Sequence, residues 1–155
     1  MPSGDYGMLL DDDVPRWNRW RSDNPEIHPD LSDISLSRRK LASVNLSRCN
    51  LSGAHLNHTD LTDCNLFRAN LSNASLQAAN LTDARCAEVE AAGANLSASC
   101  LKGAEIRAAN LSGAHLTDAN LDSVDLSRTN LARANLFQAT LRLANLGNSQ
   151  LAGQI

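Results

Sequence analysis

The chain has 155 residues, enough for one domain, with 14 basic residues against 17 acidic ones and a formal charge of −3, too small to dictate a partner by charge alone. Aromatic residues make up 3% of it, too few for an ordinary globular core. No apolar run reaches the roughly 18 residues of a membrane-crossing helix, and Met1–Asp13 shows neither a basic stretch nor the apolar run of a secretory signal.

Residues 1–12 read as a flexible lead. Asp11, Asp12 and Asp13 followed by Pro15 form a helix-start signal, and Asn24-Pro25 forms a stop, because the residue before proline is pushed out of the α region. Leu10, Val14, Trp17 and Trp20 fall on one apolar stripe, with the arginines elsewhere. The spacing predicts a short amphipathic helix over about 13–22, within a helix-and-linker segment 13–29.

From residue 30 to 155 the chain keeps a metre of five. Of the 25 positions Leu31, Leu36 and onward to Leu151, 22 are Leu, the exceptions being Cys86, Ala91 and Ile106. Two residues earlier the slot is Ala in 13 repeats, and one residue earlier it is Asn or Asp in 14. A helix would scatter these leucines, since five residues advance it about 500°. A flat strand would send successive leucines to opposite faces. The pattern works only if the chain turns a corner every five residues, so that each Leu and the small residue before it point to one interior.

Ala69-Asn70-Leu71-Ser72-Asn73 and Ala119-Asn120-Leu121-Asp122-Ser123 are near-perfect copies of A-(D/N)-L-x-x, and the chain resembles the pentapeptide-repeat family. The resemblance implies an all-β solenoid, a right-handed quadrilateral parallel β-helix with four repeats per coil. Here that means about six coils, roughly 30 Å long at the spacing of paired strands. Leu51, Leu71, Leu96, Leu121 and Leu136 would lie at the core centre. A solenoid exposes its first edge and its apolar bore, so the helix bearing Val14, Trp17 and Trp20 is read as an N-terminal α-helical cap. The string Trp17-Asn18-Arg19-Trp20-Arg21, with Asn24-Pro25 and Pro29-Asp30-Leu31, also resembles a leader that precedes such repeats in bacterial, notably cyanobacterial, proteins.

Two stretches depart from the metre. Arg39 occupies an inward slot, where an unpaired guanidinium would be prohibitive, so it should snorkel outward beneath the cap. At Cys86 and Ala91 two consecutive leucine positions shrink while Val89 enlarges an Ala slot, which predicts a local distortion or bulge. Past Leu146 and Leu151 no helix, proline or aromatic plug follows. The last coil is therefore expected to be covered by a second copy in a weak homodimer or by a following segment, or to fray from about Gly147.

With residues 20 apart stacked, the outward positions sort by side. Arg48, Phe67, Arg68, Glu88, Arg107 and Arg128 share one side with the stacked pair Arg85 and Glu105. Of these, Arg48, Phe67, Arg68, Arg107 and Arg128 form the candidate interaction surface, since arginine and aromatics are enriched at interfaces. Asp60, Asp63, Asp83 and Asp122 lie on another side, and Asn50, Asn70 and Asn110 on a third, where the asparagines are expected to form ladders between coils. His55 and His58 bracket an inward Leu56 and are badly placed to chelate a metal. Cys49, Cys64 and Cys86 read as small buried hydrophobes and Cys100 as outward; with no Cys-x-x-Cys, the four point to a reducing compartment, taken as the cytoplasm.

No catalytic constellation, cofactor motif or phosphate loop is present in the sequence, so an enzyme is not expected. The favoured reading is a rigid scaffold for a protein partner of unknown identity, with neither membrane nor nucleic acid expected as a partner. The alternative, implied by the resemblance, is a DNA mimic that modulates or protects a type II topoisomerase (gyrase). A mimic needs a dense negative surface. Residues 31–155 instead hold ten acids and eleven bases, while residues 1–30 carry seven acids and three bases.

Overall fold

A computed structural model describes Tyr6, Leu10 and residues 13–153 of the chain. From residue 30 to 150, one residue in every five bridges a partner 20 positions away in parallel register: Asp30 with Asn50, Ser35 with His55, Lys40 with Asp60, Asn45 with Asn65, and so on to Asn130 with Gln150. A coil therefore has 20 residues and four sides of five. Six steps up one column, from Asp30 to Gln150, make six coils. At the usual spacing of paired strands they stand about 30 Å tall. The expected β-structure is thinner than a sheet of strands. Among the described residues every pairing is a single-residue bridge, because a chain that turns each five residues has no straight run left to extend.

The backbone hydrogen bonds of one repeat explain its sequence. In Asn70–Ala74, Ala74 N–H donates to Leu71 C=O (2.9 Å) and closes a four-residue turn. Asn73, third in that turn, has φ +57°. Positive φ there and not at the residue before it marks type II geometry. Three N–H groups point along the stack: Leu71 to Glu90 C=O at 2.6 Å, Asn73 to Ala92 C=O at 3.0 Å, and Asn70 to Cys49 C=O at 3.0 Å. One N–H is left, that of Ser72, and the Asn70 side-chain oxygen accepts it at 3.0 Å.

All 14 Asn or Asp residues that precede an inward Leu make this same contact, from Asp30 to Asn145. Their main task is thus to satisfy a backbone donor that the stack cannot reach. The expected ladders exist as well but are sparser, as in Asn70 Nδ2 to Asn50 Oδ1 (3.4 Å) and Asn130 Nδ2 to Asn110 Oδ1 (3.3 Å).

Inward side chains fill the bore. Leu51, Leu71, Leu96 and Leu121 are buried as expected. Leu136 is not: it is half-buried, together with Leu141 and Leu146, and Leu151 is 46% exposed. These four belong to the last coil, over which no described residue lies. Thr59 and Thr129 enter alanine slots without an unsatisfied hydroxyl, because each donates to a carbonyl of the coil beneath, Leu36 C=O (2.8 Å) and Ile106 C=O of the coil before it (2.7 Å). Arg39 is half-buried rather than enclosed.

The bulge expected around Cys86 and Ala91 does not form. Bridges continue unbroken through Asn65–Arg85, Asn70–Glu90, Arg85–Glu105 and Glu90–Asn110. The lost side-chain volume appears instead as an internal void of about 20 Å³ with no polar lining, bordered by Leu71, Cys86, Val89, Ala91, Leu96 and Ile106. Ladders above and below fix the coil spacing, so the wall cannot collapse inward to fill the gap.

At the other end, helix α1 spans Val14–Asp23, shifted by one residue from the expected 13–22. The Asp13 side chain caps it by accepting from Arg16 N–H at 2.9 Å, Pro15 sits in the first turn and Asn24 is the C-cap. Trp17 is fully buried, while Val14 and Trp20 are half-buried. The helix supplies the hydrogen bonds that a preceding coil would have made. Trp17 Nε1 donates to Asn45 C=O (2.7 Å), Asn18 Oδ1 accepts from Asn45 N–H (2.8 Å), and Arg21 Nη2 donates to Ser47 C=O (2.7 Å).

Arg21 is a correction to the sequence reading, which placed the arginines on the solvent side. It is 4% exposed, and its Nη1 also donates to Ile27 C=O (2.6 Å), tying the linker to the helix. Within the lead 1–12, Leu10 is buried and the Tyr6 ring lies 5.3 Å from that of Trp20. Residues 1–5, 7–9 and 11–12 lie outside the described residues.

The void gives opposite signs to two core substitutions. Leu71→Ala should destabilise by about 2–5 kcal/mol. Cys86→Leu, which restores the repeat's own residue beside the void, should stabilise by about 0.5–2 kcal/mol. Denaturant unfolding measures both, and a destabilised Cys86→Leu would contradict a void able to accept the added carbons.

Candidate functional site

The register that stacks Asn45, Asn65, Arg85, Glu105, Asp125 and Asn145 in one column also gathers the side chains that follow each inward residue on that side. Arg48, Arg68, Glu88 and Arg128 sit at the positive-φ corner, with φ of 56°, 56°, 57° and 61°. That corner turns their side chains out of the wall, and all four are exposed, as is Arg107 one position earlier in its repeat. Phe67 is half-buried beneath them. The structure thus brings all five candidate residues, Arg48, Phe67, Arg68, Arg107 and Arg128, onto one side.

Of the arginines, Arg68 is held in place. The Arg68 guanidinium lies 4.9 Å from the Phe67 ring centre, and its Nε is 2.8 Å from Glu88 Oε2 on the next coil. Both partners of that ion pair are about half exposed, so it contributes on the order of 0.2–1 kcal/mol and mainly fixes the guanidinium's position. Asp125 accepts from Ser127, whose hydroxyl and N–H hold its carboxyl below the usual carboxylate range, with Arg107 adding to the effect. Among the described residues neither Arg48 nor Arg128 forms an ion pair.

Two open hollows lie on this side, near its ends. One, of about 530 Å³, is bordered by Glu88, Arg107, Asp125, Arg128 and Asn148. The other, of about 470 Å³, lies where the cap meets the coils, between Arg21, Pro25, Glu26, Arg48 and Phe67. The sequence reading missed the cap's share in this second hollow. Its signal was present: Arg21 lies four residues after Trp17, hence on the same helix face, turned toward the coils.

Charge separates the four sides. The arginine side has five arginines (48, 68, 85, 107 and 128) against Glu88, Glu105 and Asp125. The side with Asp60, Asp63, Asp83 and Asp122 also bears Lys40, Lys102 and Arg142. The asparagine side sets Arg133 against Asp30, Asp33 and Glu90, and the last sets Arg38 and the half-buried Arg39 against Asp118 beside His55, His58 and His115. The arginine side has the largest positive excess, two charges against one on the last side.

Reactive groups do not gather among the described residues. Among the described residues no group of three or more His, Cys, Asp or Glu side chains is placed to hold a metal ion. Cys49, Cys64 and Cys86 are free and buried, and burial pushes the thiols of Cys49 and Cys86 up to about 12 and that of Cys64 well above its ordinary value. They pack as apolar groups. Cys100 is half-exposed, with its sulfur 3.3 Å from Thr82 Oγ1. Among the described residues no helix is long and apolar enough to cross a membrane.

A family model described as pentapeptide repeat region matches residues 34–116, and one described as pentapeptide repeats (8 copies) matches residues 109–148. No curated protein matches. Among solved structures the chain is similar to HetL, a pentapeptide repeat protein involved in heterocyst differentiation regulation from the cyanobacterium Nostoc sp. strain PCC 7120, at 23% identity over 91% of this chain and 93% of that one, with a TM-score of 0.33. It is also similar to QnrB1, a plasmid-mediated fluoroquinolone resistance protein, at 20% identity over 80% and 78% of the two chains, with a TM-score of 0.41. A third is Rfr23 from the cyanobacterium Cyanothece 51142, at 21% identity over 89% and 96%, with a TM-score of 0.26. On the repeat that both family models match, the chain belongs to the pentapeptide-repeat family.

Proposed function

We propose that this protein is a non-catalytic scaffold, a right-handed quadrilateral β-helix that presents its arginine side to a protein partner in a reducing, cytoplasmic setting. The observation that carries the reading is the arrangement of Arg48, Phe67, Arg68, Arg107 and Arg128 on one rigid wall between two hollows. The wall is tied to its neighbours by three backbone bonds per repeat, so these side chains need little ordering when a partner arrives. A topoisomerase-directed DNA mimic fits less well. Even the side richest in aspartate interrupts Asp60, Asp83 and Asp122 with Lys40, Lys102 and Arg142. A duplex presents an unbroken row of negative charge.

The test is affinity capture from the native organism, comparing the unaltered protein with R48E/R68E/R128E and with D63K/D83K on another side. The reading expects partner loss only in the arginine variant, with melting temperatures unchanged. Capture that survives in the arginine variant and fails in the aspartate variant would move the site to the aspartate side.

The last coil supports a second contact, with another copy of this chain. Leu136, Leu141, Leu146 and Leu151 leave the bore partly open, and Leu143 is 91% exposed at its rim. Such an end face is smaller than the roughly 800 Å² per partner of stable complexes, so an end-to-end homodimer would be weak. Light scattering over a concentration series should show reversible dimers that Leu143→Glu abolishes. A strict monomer at high concentration would exclude the contact.

A further inference from the structure

We infer that the segment received by the arginine side is an extended acidic peptide lying along the stacking axis. This rests on the scaffold reading above and adds the chemistry of the occupant. It starts from the charge inventory: five arginines meet three carboxylates on this side, the largest positive excess of the four, while two sides are net negative and the last holds Arg38 and the half-buried Arg39 against Asp118. A partner selecting by charge is therefore drawn to this wall.

The placement of the arginines gives the direction. Arg48 and Arg128 share a corner column, four coils apart, and neither is in an ion pair among the described residues. Four coils at about 4.8 Å set their backbones about 19 Å apart, the span of roughly six residues of extended chain. A carboxylate at each end of such a segment would meet Arg48 in one hollow and Arg128, with Arg107 beside it, in the other. Between them Arg68 is fixed by Glu88 and lies over Phe67, giving the middle of the segment a flat cation and a half-buried ring rather than a second free charge.

The same pattern disfavours nucleic acid. A phosphate backbone is negative at every step, and along this wall it would run against Glu88, Glu105 and Asp125. The chain as a whole is acidic, with a pI near 5.7, where nucleic-acid-binding domains are usually strongly basic. A peptide can place its carboxylates at the ends and leave the middle uncharged or basic, which a phosphate backbone cannot.

The experiment titrates the full chain with fluorescein-labelled synthetic twelve-residue peptides, followed by anisotropy. One has Glu pairs six residues apart in a Ser/Gln background, one replaces every Glu by Gln, and a twelve-base-pair duplex serves as the third probe. The Glu peptide should bind, and the Gln peptide should bind at least about tenfold more weakly. Binding should also weaken as added salt shortens the screening length from about 10 Å to about 3 Å. R48E/R128E should lose the Glu peptide while D63K/D83K keeps it. Equal binding of the Glu and Gln peptides, or tighter binding of the duplex, would overturn the acidic-peptide inference. If partner capture still depended on Arg48, Arg68 and Arg128, the scaffold reading would survive that result. Capture indifferent to those arginines would sink both.

Discussion

One repeat must turn a right angle in five residues, point a leucine inward, and leave no backbone N–H stranded. The rest of the structure depends on meeting these demands together. Three N–H groups reach adjacent coils and one closes the turn, so the only variable is the donor of the residue after Leu. An Asn or Asp one step before Leu solves it with its own side chain, as in Asn70 to Ser72. The solution requires positive φ at the next corner, adopted by 20 non-glycine residues from Asp33 to Asn148. Each costs about 1–2 kcal/mol in isolation. The shape is therefore stable only as a stack, where bonds along the axis offset that local strain at every rung.

The same constraint accounts for what the sequence showed and what it hid. A period of five with leucine inward is legible because burial imposes it directly, and Leu51, Leu71, Leu96 and Leu121 lie where the metre puts them. The role of the asparagines was hidden, since a ladder and a turn cap ask for the same residue. At Cys86 and Ala91 the reading erred because it weighed side-chain volume alone. The ladders from Asn65 to Arg85 and on to Glu105 hold the wall in place, so a void of about 20 Å³ costs less than breaking them. Leu136 was misjudged for a different reason: its slot is ordinary, and only the lack of a described neighbour above it leaves it half-buried.

The cap shows the constraint from the other side. Asn45 and Ser47 have backbone groups that later coils satisfy with a predecessor, and here Asn18, Trp17 and Arg21 take that place from α1. Periodicity could mark the helix as amphipathic and put Arg21 on the Trp17 face, and it could not show which carbonyls, those of Ile27 and Ser47, that arginine clamps. The clamp matters for the candidate site, since it brings Arg21 and Glu26 to the hollow beside Arg48 and Phe67. Structure and candidate function thus meet at one place, where the cap's last turn borders the first arginine of the wall. How the five candidate residues share a side was legible once 20 residues per coil was assumed. That number came from resemblance and is now carried by the bridges themselves.

Amide hydrogen exchange followed residue by residue tests this account most directly. Slow exchange should recur every five residues at the inward positions from Leu31 to Leu131, at the corner residues from Asp33 to Arg133 and at the residues before Leu from Asn50 to Gln150. The amide after Leu should be slowed at Ser72, Thr82, Ser97 and Ser112, each accepted by a preceding Asn. It should exchange faster at Ala92, Lys102 and Thr117, where Glu90, Cys100 and His115 stand in the Asn position. Uniform protection of both sets, or a pattern lacking the five-residue period, would contradict the backbone scheme on which the fold and its arginine wall rest.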